Sequence, residues 1–321
     1  QSRTGLVGRP VVEPLSPLRS LSGKSILLLG STGFLAKIVL SMLLERFSVK
    51  RIYVMIRATR SKTPADRFFG EVLGSEAIDP LRKMFGDAFD TMVRDLVIPV
   101  HGDLSKPGLG VEGDILEELK REVDIVINSA GLVHFNPPLD NAIDANTRGA
   151  LEVAKFTAAL DRSKLVHVST CFVAGARSAR IREDAPILGY YPNKEQMPDI
   201  EFDWKRELED VNRIIRQVKE QTNDAALEAR FKTEALDRLK REGREANPRT
   251  LRAAITNQRR RWVQEEQIRL GIERATHWGW PNIYTYSKAL GEQAIADTEG
   301  LEWCIVRPAI VESSLTYPFP G

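Results

Sequence analysis

The run Ser25-Ile26-Leu27-Leu28-Leu29-Gly30-Ser31-Thr32-Gly33-Phe34-Leu35-Ala36 passes from a continuous apolar stretch, through a glycine turn, into helical spacing. A short apolar run that ends in glycine suits a strand buried on both faces of a parallel sheet. After the turn, Leu35, Val39, Met42 and Leu43 recur on one side of a helix spanning Phe34 to Phe47. Glycines let such a turn bend sharply and approach a pyrophosphate without a Cβ in the way. The helix start then offers unpaired N–H groups to the phosphate oxygens. A tight turn without ligand is the plain alternative, but the strand–turn–helix context is the one dinucleotide binding requires. Gly30, Ser31, Thr32, Gly33, Phe34 and Leu35 are therefore expected to touch a cofactor. Ala36 stands where many such loops carry a third glycine, and its small side chain still permits close helix–strand packing.

The same alternation continues outward. Apolar runs at Arg51–Ile56, Leu96–Val100, Ile125–Ile127, Leu165–Val168 and Cys304–Val306 read as five further strands. Helices are expected between them. Thr63-Pro64 opens one that runs through Phe68 and Val72, and Asp79-Pro80 opens another, each as an N-cap followed by proline at the first helical position. Two more are expected over Asp144–Leu160 and Tyr286–Thr298. The predicted fold is α/β, a Rossmann-type doubly wound parallel sheet with helices on both faces.

Residues from about 195 to 275 break this rhythm with dense charge of both signs. Leu208, Val211, Ile215 and Val218 form one apolar stripe, and Leu251, Ile255 and Trp262 a second, so a charged helical insertion is expected, peripheral to the chemistry. Within it, Arg259-Arg260-Arg261-Trp262 can touch a membrane surface or an acidic carrier, although a charge run is usually a solvated helix face. Residues 1–23 hold several prolines and no continuous apolar segment, and read as a leader or linker to a domain spanning 24–321.

Composition limits the function classes. Hydrophobic residues are 42% and charged residues 28%, as in ordinary globular proteins, and a net charge of +2 makes no case for nucleic-acid binding. The longest apolar runs are too short to span a bilayer, so membrane contact is expected to be peripheral at most. Cys171 and Cys304 read as reduced, buried thiols of a cytoplasmic protein. The four scattered histidines show no zinc-ligand spacing, so no metal site is expected. Nothing in the sequence speaks to oligomeric state.

Chemistry concentrates at strand ends, where ligands bind in doubly wound sheets. Arg57 ends the second strand at the place where an acid marks NAD. A guanidinium there grips a 2′-phosphate, so NADPH is the expected cofactor, with Arg60 and Lys62 adding charge and a surface arginine as the alternative. Asp103, followed by Leu104, ends the third strand and can accept a hydrogen bond from the adenine amino group. Asn128-Ser129-Ala130-Gly131 follows the fourth, its small residues (Ser129 and Ala130 among them) letting a ribose pass close to the backbone.

Tyr284 and Lys288 are four apart, hence on one helix face. An ammonium near a phenol favours tyrosinate, so Lys288 is expected to lower the pKa of Tyr284 and to reach the nicotinamide ribose. Tyr284 can then exchange a proton with a carbonyl oxygen. Thr170, at the end of the fifth strand, can hold the same oxygen. Cys171 beside it invites the idea of an acyl-accepting thiolate. Nothing nearby marks a base or cation, and a neighbour of Thr170 on a strand points the other way, into the sheet packing.

Together the glycine loop, Asn128–Gly131, Ser169-Thr170, Tyr284/Lys288 and Arg307-Pro308 resemble the extended short-chain dehydrogenase/reductases. More narrowly, Trp280-Pro281-Asn282-Ile283-Tyr284-Thr285-Tyr286-Ser287-Lys288-Ala289-Leu290-Gly291-Glu292, Ile305–Ser313 and the closing Pro318-Phe319-Pro320-Gly321 are similar to fatty acyl-CoA reductases, over most of residues 24–194 and 276–321. The resemblance implies that Thr170 rather than Ser169 is the catalytic hydroxyl, and that Arg307 and Pro308 belong to the cofactor site. It implies NADPH-dependent reduction of a long-chain acyl thioester, on CoA or an acyl carrier protein, to the aldehyde or alcohol, with a substrate-binding segment after the sixth strand. The chain departs from the pattern in Ala36 and in the long charged insertion between Thr170 and Tyr284. Two other readings remain open: a sugar-nucleotide or sterol dehydrogenase, against which the Trp280–Glu292 run argues, and a non-catalytic dinucleotide-sensing regulator, in which Tyr or Lys is often lost.

Overall fold

The structure, a computed structural model, describes residues 16–177, 180–317 and 320. The greater part of the N-terminal leader and most of the closing Pro318–Gly321 motif lie outside the described residues. Six strands form one parallel sheet: β1 (Ser25–Leu29), β2 (Arg51–Ile56), β3 (Val97–His101), β4 (Ile125–Asn128), β5 (Lys164–Val168) and β6 (Glu302–Val306), in the order β3-β2-β1-β4-β5-β6. Chain order reverses between β1 and β4, so the crevice of a doubly wound sheet opens at their carboxyl ends. Leu29 is the register partner of both Met55 and Asn128 there, which sets the glycine turn between the ends of β2 and β4.

Every residue of β1 is buried, because helices cover both faces. Ile26 and Leu28 pack with Leu40 and Leu43 of the helix Phe34–Arg46, whereas Leu27 and Leu29 pack with Val153 of the helix Gly149–Ala158. Thr63 caps the helix at Pro64 with a reciprocal capping box to Asp66, as its sequence anticipates.

Several boundaries move. β3 starts one residue late, because Leu96 closes the preceding helix. The helix expected from Asp144 starts at Leu139, directly after Pro138, and widens into a π-turn over Ile143–Arg148 before Gly149. The helix expected from Tyr286 starts at Ile283, because the Asn282 side chain caps the Thr285 N–H, so Tyr284 lies in its first turn. Cys304 is exposed rather than buried, since β6 is an edge strand paired only with β5 and three of its four other residues are exposed as well. Cys171 is half-buried.

The insertion is three helices, Trp204–Gln221, Ala225–Arg241 and Pro248–Trp278. Val211 and Ile215 of the first stripe join Trp278, Trp280, Ile283 and Tyr286 in a third core cluster beside the sheet. In the second stripe, Trp262 meets Phe231 with ring centroids 5.9 Å apart. The arginine run is largely a paired, solvated face: Arg259 binds Glu228 and Arg261 binds Glu265, each at 2.7 Å.

Candidate active site

The glycine turn is shaped first by protein packing. Gly30 has φ +84°, and a Cβ there would lie 2.6 Å from the Ala130 nitrogen and 2.7 Å from the Ser129 carbonyl carbon. Only glycine lets the β1 and β4 loops approach this closely. Gly33 precedes the helix Phe34–Arg46 and, among the described residues, no side chain caps that helix start. Its first N–H groups are therefore available to an anion. The Ser31 hydroxyl is buried beside them without a hydrogen-bond partner among the described residues. Ala36 is fully buried in the core, which explains a small residue there. Phe34 is largely exposed at the rim.

Beside this turn a cleft of about 280 Å³ is lined by Gly30, Ser31, Thr32, Arg57, Asp103, Leu104 and Ala130. The sequence-predicted adenosine-side residues thus come together. Arg57 reaches to 4.0 Å from Asp103. Burial pushes the Asp103 carboxyl up, but the N–H and hydroxyl of Ser105 and the cation of Arg57 outweigh it and hold the group below its ordinary range. Arg67, which also lines this cleft, was missed by sequence reasoning. It donates to the Arg57 carbonyl oxygen at 2.7 Å and is held by Glu71 at 2.8 Å. Its only sequence signal was the capped helix start at Thr63, four residues earlier.

Toward the nicotinamide end, Asn128 Oδ1 accepts from the Ala130 N–H at 3.0 Å, so its amide N–H₂ faces His167 Nδ1 at 3.1 Å. His167 is buried and strongly disposed to stay neutral, through burial and then the nearby Lys288 cation. A Cβ on Gly131 would approach Lys288 Nζ to 3.3 Å and Asn146 Oδ1 to 3.0 Å. Asn146 was also missed. Buried in the π-turn, it binds Leu132 N at 2.8 Å and Ser287 Oγ at 3.0 Å, fastening the β4 loop to the helix Ile283–Ala296 that carries Tyr284 and Lys288.

Lys288 is almost completely buried and donates to the Val168 carbonyl, the last of β5, at 2.9 Å. Burial lowers its pKa to about 8, against an opposing pull from Glu292. Tyr284 departs from expectation. Its pKa is raised, first by burial, with the Thr170 hydrogen bond opposing and Cys171 adding to the rise. The sequence led to the opposite expectation, a Tyr284 lowered by Lys288; burial of the phenol, which the spacing of the two residues does not register, sets the direction. Thr170 Oγ1 accepts from the Phe172 N–H at 3.3 Å, which turns its own proton toward the Tyr284 hydroxyl. Cys171 also departs from expectation: β5 ends at Val168 and Cys171 starts a tight turn, so strand alternation does not apply and the thiol lies near Tyr284. Phe135 accepts from the Tyr284 N–H at 3.0 Å and, with Val133, forms an exposed apolar rim over the site.

Arg307 and Pro308 also have partners within the protein. The Arg307 guanidinium grips buried Glu292 of the catalytic helix, with Nε 3.0 Å from one carboxylate oxygen and 3.2 Å from the other. The Pro308 carbonyl accepts from the Cys171 N–H at 2.9 Å. Both fasten the end of β6 to the catalytic elements. Among the described residues, no group of His, Cys, Asp and Glu could hold a metal ion, and no helix is long and apolar enough to cross a membrane.

Over residues 28–321 the sequence matches the NAD-binding family described as Male sterility protein. The chain belongs to that family. A nicotinamide dinucleotide is accordingly its cofactor class, and the residues fit one: a helix start without a side-chain cap, the buried Ser31 hydroxyl beside it and a cleft lined by Arg57 and Arg67 adjoin the glycine turn. Among similar proteins, "Fatty acyl-CoA reductase 2, chloroplastic" of Arabidopsis thaliana is 32% identical over 96% of this chain and 45% of its own length. "Alcohol-forming fatty acyl-CoA reductase" of Simmondsia chinensis is 32% identical over 95% of this chain and 55% of its own. The chain thus spans about half the length of these relatives. Among solved structures, the terminal R domain from the myxalamid PKS-NRPS biosynthetic pathway shares the fold with a TM-score of 0.53 at 20% identity, covering 91% of this chain and 50% of that one.

Proposed function

We propose that the protein reduces a long-chain fatty acyl thioester, carried on CoA or an acyl carrier protein, with NADPH. The observation that carries this reading is the meeting of Thr170 and Tyr284, with buried Lys288 one turn further along the helix of Tyr284 and bound to the end of β5. The fatty acyl-CoA reductases among its relatives support the substrate class.

When bound, the cofactor supplies a hydride. The helix start after Gly33 and the arginines of the cleft bind its phosphates, with Arg57 and Arg67 placed for a 2′-phosphate. Asp103 serves the adenine end, with Leu104 beside it. Ser129 and Ala130 leave room for the ribose. Thr170 and Tyr284 donate to the substrate's carbonyl oxygen as negative charge develops on it, where preorganised donors contribute most. Tyr284 stays protonated at neutral pH because burial raises its pKa, so it delivers the proton directly. Lys288 holds the end of β5 and the ribose side together. Loss of the thiol leaves the aldehyde, and a second round gives the alcohol. The apolar rim of Val133 and Phe135 suits an acyl chain.

The test is NADPH oxidation by the full chain with a panel of acyl-CoAs, acyl carrier protein thioesters and sugar nucleotides, with products separated by chromatography. Consumption only with sugar nucleotides, or none with any thioester, overturns the reading.

A further inference from the structure

The catalytic helix Ile283–Ala296 has two working faces. Tyr284 and Lys288 face the end of β5, where Thr170 and the Val168 carbonyl lie. Tyr286 lies about 200° round the helix from Tyr284 and is fully buried against the insertion. There its hydroxyl donates to Glu207, on the first insertion helix. Glu207 is only 2% exposed and is clasped by Arg274 of the third insertion helix, whose Nε lies 2.7 Å from one carboxylate oxygen. Arg274 also reaches Asp210 at 3.0 Å, and Trp280 packs on the Tyr286 ring at 5.6 Å. Three helices from three parts of the chain thus converge on one buried carboxylate.

An ionised carboxylate in a core is costly, and replacing such a group with well-packed apolar residues often leaves stability unchanged or higher. Its distinctive contribution is geometric. A phenol bound to a clasped carboxylate sets both the rotation of a helix about its axis and its shift along it, which an apolar contact leaves loose. We infer that Glu207 is a positioning residue: through Tyr286 it fixes the rotational setting of the catalytic helix and so places the Tyr284 hydroxyl against Thr170. The insertion therefore acts on the chemistry from behind the helix, without touching the reacting atoms. This rests on the reading of Tyr284 as proton donor.

The phenol is neutral, since burial and then Glu207 push its pKa well above the ordinary value. Tyr286→Phe thus deletes one hydrogen bond and leaves the Glu207–Arg274 pair intact. In the full chain this variant is expected to lower kcat about tenfold, a displacement of 1 Å being able to cost about a hundredfold. NADPH affinity and KM for the thioester should hold. A merely structural role would instead lower the unfolding midpoint and leave kcat per folded molecule unchanged. Residues that act through one group are not additive, so in a Tyr284→Phe background Tyr286→Phe should cost nothing further. A Tyr286→Phe rate equal to the parent's, or the same loss in both backgrounds, overturns the inference while leaving Tyr284 in its role. A Tyr284→Phe rate equal to the parent's overturns the reading beneath it as well. If Tyr286→Phe folds poorly, Glu207→Gln serves as the second variant. It keeps an acceptor for the phenol, and kcat should stay closer to the parent than in Glu207→Leu; equal losses in the two would overturn the inference.

Discussion

Lys288 Nζ donates to the carbonyl oxygen of Val168 at 2.9 Å, tying the catalytic helix to the last peptide of β5 immediately before Ser169 and Thr170. One buried amine thus links the two elements that carry Thr170 and Tyr284.

That burial has a pH signature. With Lys288 at about 8, the charged form of the free enzyme is lost as pH rises through that value. kcat/KM, which reports the free enzyme, should fall above about pH 8. In Lys288→Arg, the surviving activity should lack that alkaline limb, since a guanidinium does not deprotonate there. For stability the sign is opposite. The unfolded lysine takes up a proton near 10.5 and the folded one only near 8, so stability rises with pH between those values. A flat kcat/KM profile from pH 7 to 10 would remove Lys288 from the mechanism.

Tyr284→Phe removes a hydroxyl and its hydrogen bond with Thr170 but keeps the ring packed against Phe135, so the fold should be retained. NADPH binding, followed by fluorescence titration, should survive. Turnover should fall by about a hundredfold to ten-thousandfold, the usual loss for an acid–base group. Thr170→Val should cost less, because Tyr284 still reaches the oxygen. Parent-like turnover by Tyr284→Phe would show that the proton comes from elsewhere.

Cofactor choice should reside in Arg57 and Arg67. A charge-assisted hydrogen bond is worth about 1.5–3 kcal/mol, so Arg57→Ala should weaken NADPH binding by about ten- to a hundredfold and leave NADH nearly untouched. Arg67→Ala should do the same less selectively, because it also releases the Arg57 carbonyl and Glu71. Calorimetric titration with both cofactors checks this. Equal losses for NADPH and NADH in Arg57→Ala would refute the assignment.

Gly30→Ala is expected to destabilise the fold, by about 2 kcal/mol or more. A left-handed backbone costs an alanine about 1–2 kcal/mol, and the Cβ meets the Ala130 nitrogen at 2.6 Å, where backbone has to move. The urea midpoint should drop and dinucleotide binding weaken with it. An unchanged midpoint would mean that the β1 and β4 loops do not approach each other as closely as the structure has them.

Sequence by itself determined what local patterns encode. The apolar runs, the glycine turn and the cap at Thr63 set where strands and helices form, because each depends on neighbours within a few residues. Their alternation then selected the parallel sheet and put Arg57, Asp103, Asn128 and Thr170 at one edge of it. Tertiary structure decided everything that depends on groups distant in the chain. It paired Arg307 with Glu292, exposed Cys304, brought Arg67 to the cleft and Asn146 to the β4 loop, and set Glu207 against Tyr286. It also reversed the expected shift of Tyr284. A pKa sums burial and charge from every direction, whereas the spacing of Tyr284 and Lys288 records only which side of a helix they share.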